Sequence, residues 1–80
     1  MQQILVCEDE AAIRSFVVLN LRRAGYAVLE ADSGEAALQL YAAQPTAAVA
    51  LLDVMLPGID GFEVCRRLRA ADPTIGIVML

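Results

Sequence analysis

The chain has 80 residues, of which 59% are hydrophobic and 20% are charged, and its formal net charge is −4. This length suits one small domain that buries about 60% of the surface of its unfolded chain, and it leaves no room for a second domain. All six basic residues are Arg and acids outnumber them, so we expect no direct nucleic-acid contact by this segment.

Neither end of the chain carries a signal for membranes or secretion. The first residues lack a basic stretch followed by a long apolar one, and no apolar run reaches membrane-spanning length. We therefore expect a cytoplasmic protein without membrane contact. Cys7 and Cys65 lie far apart in sequence, so we expect two small buried hydrophobic residues rather than a zinc or redox motif.

Four short apolar runs predict strands of a buried parallel sheet. They span residues 4–7, 27–31, 49–52 and 75–80. Between the first two, apolar residues at helical spacing predict a helix, and Gly25 suits its left-handed C-terminal cap. The residues that recur at this spacing are Ile13, Phe16, Val17, Leu21 and Ala24.

Two further helices are predicted from their caps. Ser33 suits the N-cap of a helix that Pro45 stops, with an apolar face of Ala37, Leu38 and Tyr41. Asp60 begins a third helix in a capping-box pattern with Glu63, and the Asp72-Pro73 pair ends it. The apolar face of this third helix comprises Phe62, Cys65 and Leu68. The order βαβαβαβ predicts a parallel sheet with helices on both faces.

Three acids are predicted to meet at the carboxyl edge of this sheet. Glu8 and Asp9 directly follow the first strand, and Asp53 ends the third. Ligand sites of open α/β sheets form at this edge, where neighbouring strands lie about 4.8 Å apart. Converging carboxylates repel one another and favour a divalent cation, and a site of oxygen ligands favours Mg²⁺. Alternatively, Glu8 and Asp9 complement the dipole of the first helix, but the third acid favours the metal site.

A carboxylate beside Mg²⁺ can attack a phosphoryl group in line and form an acyl phosphate. Asp53 is therefore the candidate phospho-acceptor, and the turn at Pro57 and Gly58 leads the chain away so that the phosphoryl group has room.

The sequence resembles the receiver domains of two-component response regulators. The matching segments are ILVCEDE, GYAVLEADSGEAAL and LLDVMLPGIDGFEV, in that order. The resemblance implies a flavodoxin-like, doubly wound α/β fold with strand order 2-1-3-4. It further implies that Asp53 accepts phosphate from a sensor histidine kinase. Asp9, Asp53 and the backbone carbonyl of Met55 would ligate Mg²⁺, and Glu8 would act through water, in a signalling domain rather than an enzyme.

Other features of the family have no counterpart in residues 1–80. These are a Ser or Thr after the fourth strand, a Lys after the fifth and an aromatic residue on the fifth; the chain contains no Lys at all. We therefore expect residues 1–80 to be the N-terminal part of a receiver domain. The last helix-strand-helix, about 40 residues, and any output domain would be missing, and phosphoryl transfer would be impaired. Either the chain assembles through its uncovered fourth strand, or it belongs to a longer protein.

Two other functions compete with this one. A haloacid-dehalogenase-like phosphatase also uses an Asp at the end of a strand, but its second Asp corresponds to Met55 here, so that motif fails. The other alternative is an interaction module with the receiver shape that works without phosphorylation. The complete set of Glu8, Asp9 and Asp53 argues against it.

Overall fold

The computed structural model describes residues 2–80 of the chain. Strands and helices alternate as the apolar runs predict. In chain order they are β1 (Gln3–Cys7), α1 (Ala11–Arg23), β2 (Ala27–Ala31), α2 (Gly34–Ala43), β3 (Val49–Leu52), α3 (Gly61–Ala71) and β4 (Gly76–Met79). No helix among these residues is long and apolar enough to cross a membrane.

The four strands form one parallel sheet in the order β2-β1-β3-β4, which confirms the predicted flavodoxin-like fold. The register brings the ends of the central strands level. Cys7, the last residue of β1, lies opposite both Ala31 of β2 and Leu52 of β3. Residues that directly follow β1 and β3 therefore emerge side by side at the same edge of the sheet.

Alternation along the strands divides the core into two layers. Leu5 and Cys7 belong to the larger cluster, which α2 and α3 cover through residues such as Tyr41, Val64 and Leu68. Ile4 and Val6 point to the other face, where they pack against Val18 of α1. Helices on both faces of the sheet were predicted, and both are present.

The caps begin and end the helices where the sequence places them. The Ser33 hydroxyl accepts a hydrogen bond from the Ala36 amide at 3.1 Å, and Asp60 Oδ1 accepts one from the Glu63 amide at 2.9 Å. Gly25 has a φ of +97°, the left-handed conformation that ends α1. The caps of α2 and α3 matter for function because they fix the segments beside the carboxyl edge of the sheet.

The inner faces of two helices differ from their predicted faces. Ile13 and Phe16 are 44% and 69% exposed, whereas Val18 is buried. The reason is that α1 contacts β1 and β2 and turns the Val18 side of a broad apolar stripe toward them. Phe62 of α3 is likewise 63% exposed, and Val64 takes the expected inward place beside Leu68.

Smaller differences concern single residues. Strand β4 is shorter than the run of residues 75–80, and Ile75 is buried just before the strand begins. Cys7 is buried as predicted, but Cys65 is only half-buried. Both thiols are free.

Candidate functional site

The three predicted acids meet at the carboxyl edge of the sheet. One carboxylate oxygen from each of Glu8, Asp9 and Asp53 lies within 4.8 Å of the others. Glu8 is buried with 5% of its surface exposed, Asp53 is half-buried and Asp9 is exposed. The three acids form a rim in which one is buried, one is half-buried and one is open to solvent.

Backbone hydrogen bonds of the sheet continue into this rim and hold it. The Glu8 amide donates to the Ala31 carbonyl at 3.1 Å, and the Asp53 amide donates to the Cys7 carbonyl at 3.0 Å. Each acid is thus the first residue beyond its strand, yet it keeps a ladder bond to a neighbouring strand. Such bonds fix where the side chains start, which a loop alone would not do.

Local hydrogen bonds then orient two of the carboxylates. Glu8 Oε2 accepts from the Glu10 amide at 3.2 Å, and Asp53 Oδ1 accepts from the Met55 amide at 3.2 Å. The second bond closes a short turn after β3, so the Asp53 side chain and the Met55 backbone are coupled. The side chain of Met55 is 81% exposed.

Burial makes the charge of Glu8 costly. Loss of solvent raises the pKa of Glu8, the hydrogen bond from the Glu10 amide partly opposes this, and the nearby carboxyl groups of Asp9 and Asp53 raise it further.

Cys7 directly precedes Glu8 and is buried at the end of β1. Burial, followed by the charges of Asp53 and Glu8, raises the pKa of its thiol to about 12. Cys7 therefore stays protonated at neutral pH, as its predicted role of a small hydrophobic residue requires.

The residues fit a hard divalent cation. Every candidate side-chain ligand is a carboxylate oxygen, the donor that Mg²⁺ prefers. The ion pairs that the arginines make in residues 2–80 are with Glu30 and Glu63, not with the three acids of the rim. None of these ion pairs therefore neutralises a carboxylate of the rim, and a bound cation would do so.

The loop after β3 turns as its Pro-Gly pair predicts. Pro57 and Gly58 are exposed, and Gly58 has a φ of +73°, which few residues other than glycine adopt. A Cβ atom at Gly58 would lie 2.6 Å from Oε2 of Glu35 in the first turn of α2. The loop therefore leaves the rim and passes close to the N-terminus of α2.

Sequence reasoning missed one residue that supports the rim. Arg14 of α1 donates from Nη1 to the carbonyl oxygen of Glu8 at 2.8 Å, and its Nε lies 3.6 Å from Glu30 at the end of β2. The guanidinium thus joins the loop of Glu8 to a neighbouring strand. No sequence signal marks this role, because Arg14 is one of six arginines in helical segments and nothing in its neighbours sets it apart.

A cleft of about 380 Å³ lies elsewhere, between α2 and α3. It is lined mainly by apolar residues, together with Tyr41, Arg67 and Asp72. These residues lie from the middle of each helix to just beyond its C-terminus, toward the edge of the sheet opposite the acidic rim. The cleft is therefore separate from the candidate site.

The sequence is similar to regulators from several bacteria. A model of the response regulator receiver domain family matches residues 4–80. The chain is 51% identical over 72 residues to the transcriptional regulatory protein AfsQ1 of Streptomyces coelicolor, which covers 90% of this chain and 32% of that protein. It is 42% identical over 79 residues to the alkaline phosphatase synthesis transcriptional regulatory protein PhoP of Bacillus subtilis. This match covers 99% of our chain and 32% of PhoP. The chain thus spans about a third of the length of these relatives.

Solved structures agree with this similarity. The response regulator protein TrrA of Thermotoga maritima, solved in complex with Mg(2+)-BeF, superposes with a TM-score of 0.94 at 33% identity, covering 99% of this chain and 68% of that one. The chemotaxis protein CheY4 of Vibrio cholerae superposes with a TM-score of 0.94 at 31% identity. This match covers 99% of our chain and 67% of the CheY4 chain. With its sheet order, its acidic rim and a family match over nearly its whole length, the chain belongs to the response regulator receiver domain family.

Proposed function

We propose that this chain is a phospho-accepting signalling domain in which Asp53 receives a phosphoryl group from a sensor histidine kinase. The observation that carries this proposal is the rim itself. Three carboxylates from two neighbouring strand ends lie within 4.8 Å in a member of the receiver family. Carboxylates that bind no cation would repel one another at this distance, which favours a role that uses their charge.

The acids of the rim would hold Mg²⁺. Asp9, Asp53 and the backbone carbonyl of Met55 are the proposed direct ligands, with Glu8 acting through water. When bound, Mg²⁺ would supply positive charge that offsets the negative charge of the acceptor and of the phosphoryl group. Support comes from TrrA, which was solved in complex with Mg(2+)-BeF and superposes on nearly all of this chain.

The transfer is a substitution at phosphorus. A carboxylate oxygen of Asp53 forms the new O–P bond, and the P–N bond to the phosphohistidine of the kinase breaks. The imidazole nitrogen leaves with the electron pair of that bond and then takes up a proton. Residues 1–80 contain no His, so the donor His lies outside this segment, and the segment acts as a phospho-acceptor rather than an enzyme with its own turnover.

Residues beyond this sequence would complete the domain. The chain covers 68% of TrrA, and we propose that a further helix-strand-helix and an output domain follow in a cytoplasmic regulator. The family places a phosphate-binding Lys in that part, and residues 1–80 contain no Lys. We therefore propose that transfer to Asp53 is impaired in this chain alone, because no Lys balances the charge of the transferred group.

Phosphoryl uptake by the chain tests the proposed function. Incubation with a small-molecule phosphodonor and MgCl₂ should add the mass of one phosphoryl group to the wild type, slowly, and none to Asp53→Asn. The variant is nearly isosteric but lacks the nucleophilic carboxylate. Omitting MgCl₂ should abolish the gain. Equal mass spectra for wild type and Asp53→Asn would overturn the proposal and favour the phosphorylation-independent interaction module.

We also propose that the chain alone self-associates through β4. Among residues 2–80 this strand has a partner strand on one side only, and the Val78 side chain on it is 48% exposed. An apolar strand with a free edge offers unpaired backbone groups to another chain.

A further inference from the structure

Helix α3 begins in direct contact with the backbone of the acceptor. Gly61, its first residue, is buried, and its amide donates to the carbonyl oxygen of Val54 at 3.1 Å. A Cβ atom built on Gly61 would overlap the carbonyl oxygen of Asp53. It would also lie 2.9 Å from the Asp53 carbonyl carbon and 2.9 Å from the Cα of Val54. Any larger residue would have to displace this peptide group or the start of the helix.

Space, rather than backbone conformation, demands glycine here. Gly25 and Gly58 have positive φ values, but Gly61 does not, so another residue could adopt its backbone angles. The atoms in the way belong to backbone and cannot rotate aside as the end of a side chain would. In the sequence Gly61 is only the residue after the N-cap Asp60, and the proposed transfer to Asp53 does not use it.

We propose that Gly61 is a positioning residue for the acceptor. By docking α3 on the Asp53–Val54 peptide, it fixes the direction of the Asp53 carboxylate and of the Met55 carbonyl. The two are coupled because the Met55 amide donates to Asp53 Oδ1. A shift of this peptide therefore changes two proposed Mg²⁺ ligands together. This inference rests on the proposed function, because it concerns how two ligands of the same proposed Mg²⁺ site are oriented.

Gly34 provides a matched control. It is also buried and also begins a helix, α2, and a Cβ there would meet Val64 Cγ2 at 2.5 Å and Ile59 Cγ1 at 2.7 Å. These are side-chain atoms of Val64 and Ile59, not the backbone of Asp53 and Val54. Gly34→Ala should therefore disturb packing as Gly61→Ala does, without displacing the acceptor peptide.

The test measures Mg²⁺ affinity by calorimetry and the melting temperature without metal, for the wild type, Gly61→Ala and Gly34→Ala. We expect both variants to melt at lower temperature. Affinity should fall about tenfold or more in Gly61→Ala, as for other residues that orient metal ligands, but should stay within about twofold of wild type in Gly34→Ala. Phosphoryl uptake by Gly61→Ala should fall with its Mg²⁺ affinity.

A milder pair of variants keeps the inference testable if Gly61→Ala does not fold. Asp60→Ala removes the N-cap of α3, whereas Asp60→Asn removes the same charge but keeps a capping oxygen. If the N-terminus of α3 orients the Asp53 carboxylate, Asp60→Ala should bind Mg²⁺ more weakly than Asp60→Asn.

Distinct results separate this inference from the proposed function. Unchanged Mg²⁺ affinity in folded Gly61→Ala, or equal affinity in the two Asp60 variants, overturns the positioning role while leaving Asp53 as acceptor. Equal losses in Gly61→Ala and Gly34→Ala also overturn it, because general packing then explains the effect. A wild type that binds no Mg²⁺ and takes up no phosphoryl group overturns both.

Discussion

The buried acid of the rim, Glu8, is the residue at which function opposes stability. It is 5% exposed and lies among carboxylates, and the pKa of Glu8 is raised mainly by burial. An ionised group in such a place weakens the fold unless a cation offsets its charge. The fold tolerates this cost at a position where, in the proposed function, the charge is used.

Replacement of Glu8 by Gln should therefore stabilise the protein without metal. Gln keeps an oxygen that accepts from the Glu10 amide, but it removes the charge that repels Asp9 and Asp53. For carboxylate oxygens within 4.8 Å of one another, this repulsion is roughly 1 kcal/mol or more. Urea denaturation at neutral pH measures the difference. With MgCl₂ added, the wild type should gain more stability than Glu8→Gln. The exposed Glu10→Gln serves as the control and should change little; a destabilised Glu8→Gln without metal would contradict this account.

At the scale of elements, α1 is joined to the rim by Arg14. The residue donates to the Glu8 carbonyl at 2.8 Å, and its side chain is only 20% exposed. Arg22 also pairs with Glu30, at 3.5 Å, but its side chain is 57% exposed. The two arginines share one acid and differ in burial, so they form a natural comparison.

Arg14→Lys should cost about 1 to 2 kcal/mol of unfolding free energy, because a shorter ammonium cannot reach both the carbonyl and Glu30. Arg22→Lys should cost less than about 0.5 kcal/mol, as exposed pairs do. Chemical denaturation of both variants measures the two values. Equal losses would show that Arg14 contributes only a surface ion pair.

The ends of α2 and α3 are joined by a polar contact that depends on pH. The Tyr41 hydroxyl donates to the Asp72 carboxylate, which also accepts from the amide and hydroxyl of Thr74. These bonds, that of Tyr41 first, lower the pKa of Asp72 from 3.8 to about 2. Because the folded pKa lies below the ordinary one, the ionised carboxylate stabilises the fold above about pH 4. That contribution is lost as the pH falls from about 4 toward about 2.

Asp72→Asn should therefore be less stable than the wild type at neutral pH, with the gap closing between about pH 4 and about pH 2. Denaturation curves across this range give the gap directly. Glu63, whose pKa Arg66 and Arg67 lower to about 2, titrates over the same range. Both proteins in the comparison keep it, so its effect cancels. A gap independent of pH would mean that the carboxylate charge of Asp72 does not matter.

How far the elements follow from sequence depends on what each signal reports. Strand positions, caps and the meeting of Glu8, Asp9 and Asp53 were predictable because apolar runs, capping residues and parallel order are local or topological rules. The inner face of α1 was not, because its apolar stripe is wider than the side that contacts β1 and β2, which leaves Ile13 and Phe16 exposed. The steric role of Gly61 was also invisible, because a close approach of two backbones leaves no pattern in one sequence.

At the scale of the whole molecule, the two faces of the sheet are covered unequally. Helices α2 and α3 lie on one face, but α1 alone lies on the other, where it contacts β1 and β2. On that face Val78 and Leu80 are 48% and 53% exposed, and Phe16 of α1 is 69% exposed. An uncovered apolar surface beside a free strand edge favours association.

A charge on this surface should reduce self-association. We expect light scattering of the wild type to rise with concentration, and Val78→Lys to weaken association about tenfold or more, since a Lys on an edge strand opposes pairing. Ala70→Lys adds the same charge on the exposed side of α3 and should behave as the wild type. A wild type that stays monomeric at high concentration would contradict the proposed contact through β4.

The thinner layer of the core has a consequence for how the molecule opens. The buried residues between α1 and the sheet are Ile4 and Val6 of β1 and Val18 of α1, far fewer than those between the sheet and α2 and α3. Local unfolding begins where the least apolar surface is lost, so amide hydrogens of α1 should exchange with solvent before those of β3. Helix α1 directly follows Glu8 and Asp9. Each transient unfolding of this helix would move Glu8 and Asp9 away from Asp53. A cation bound to all three acids would therefore oppose this opening and slow amide exchange in α1.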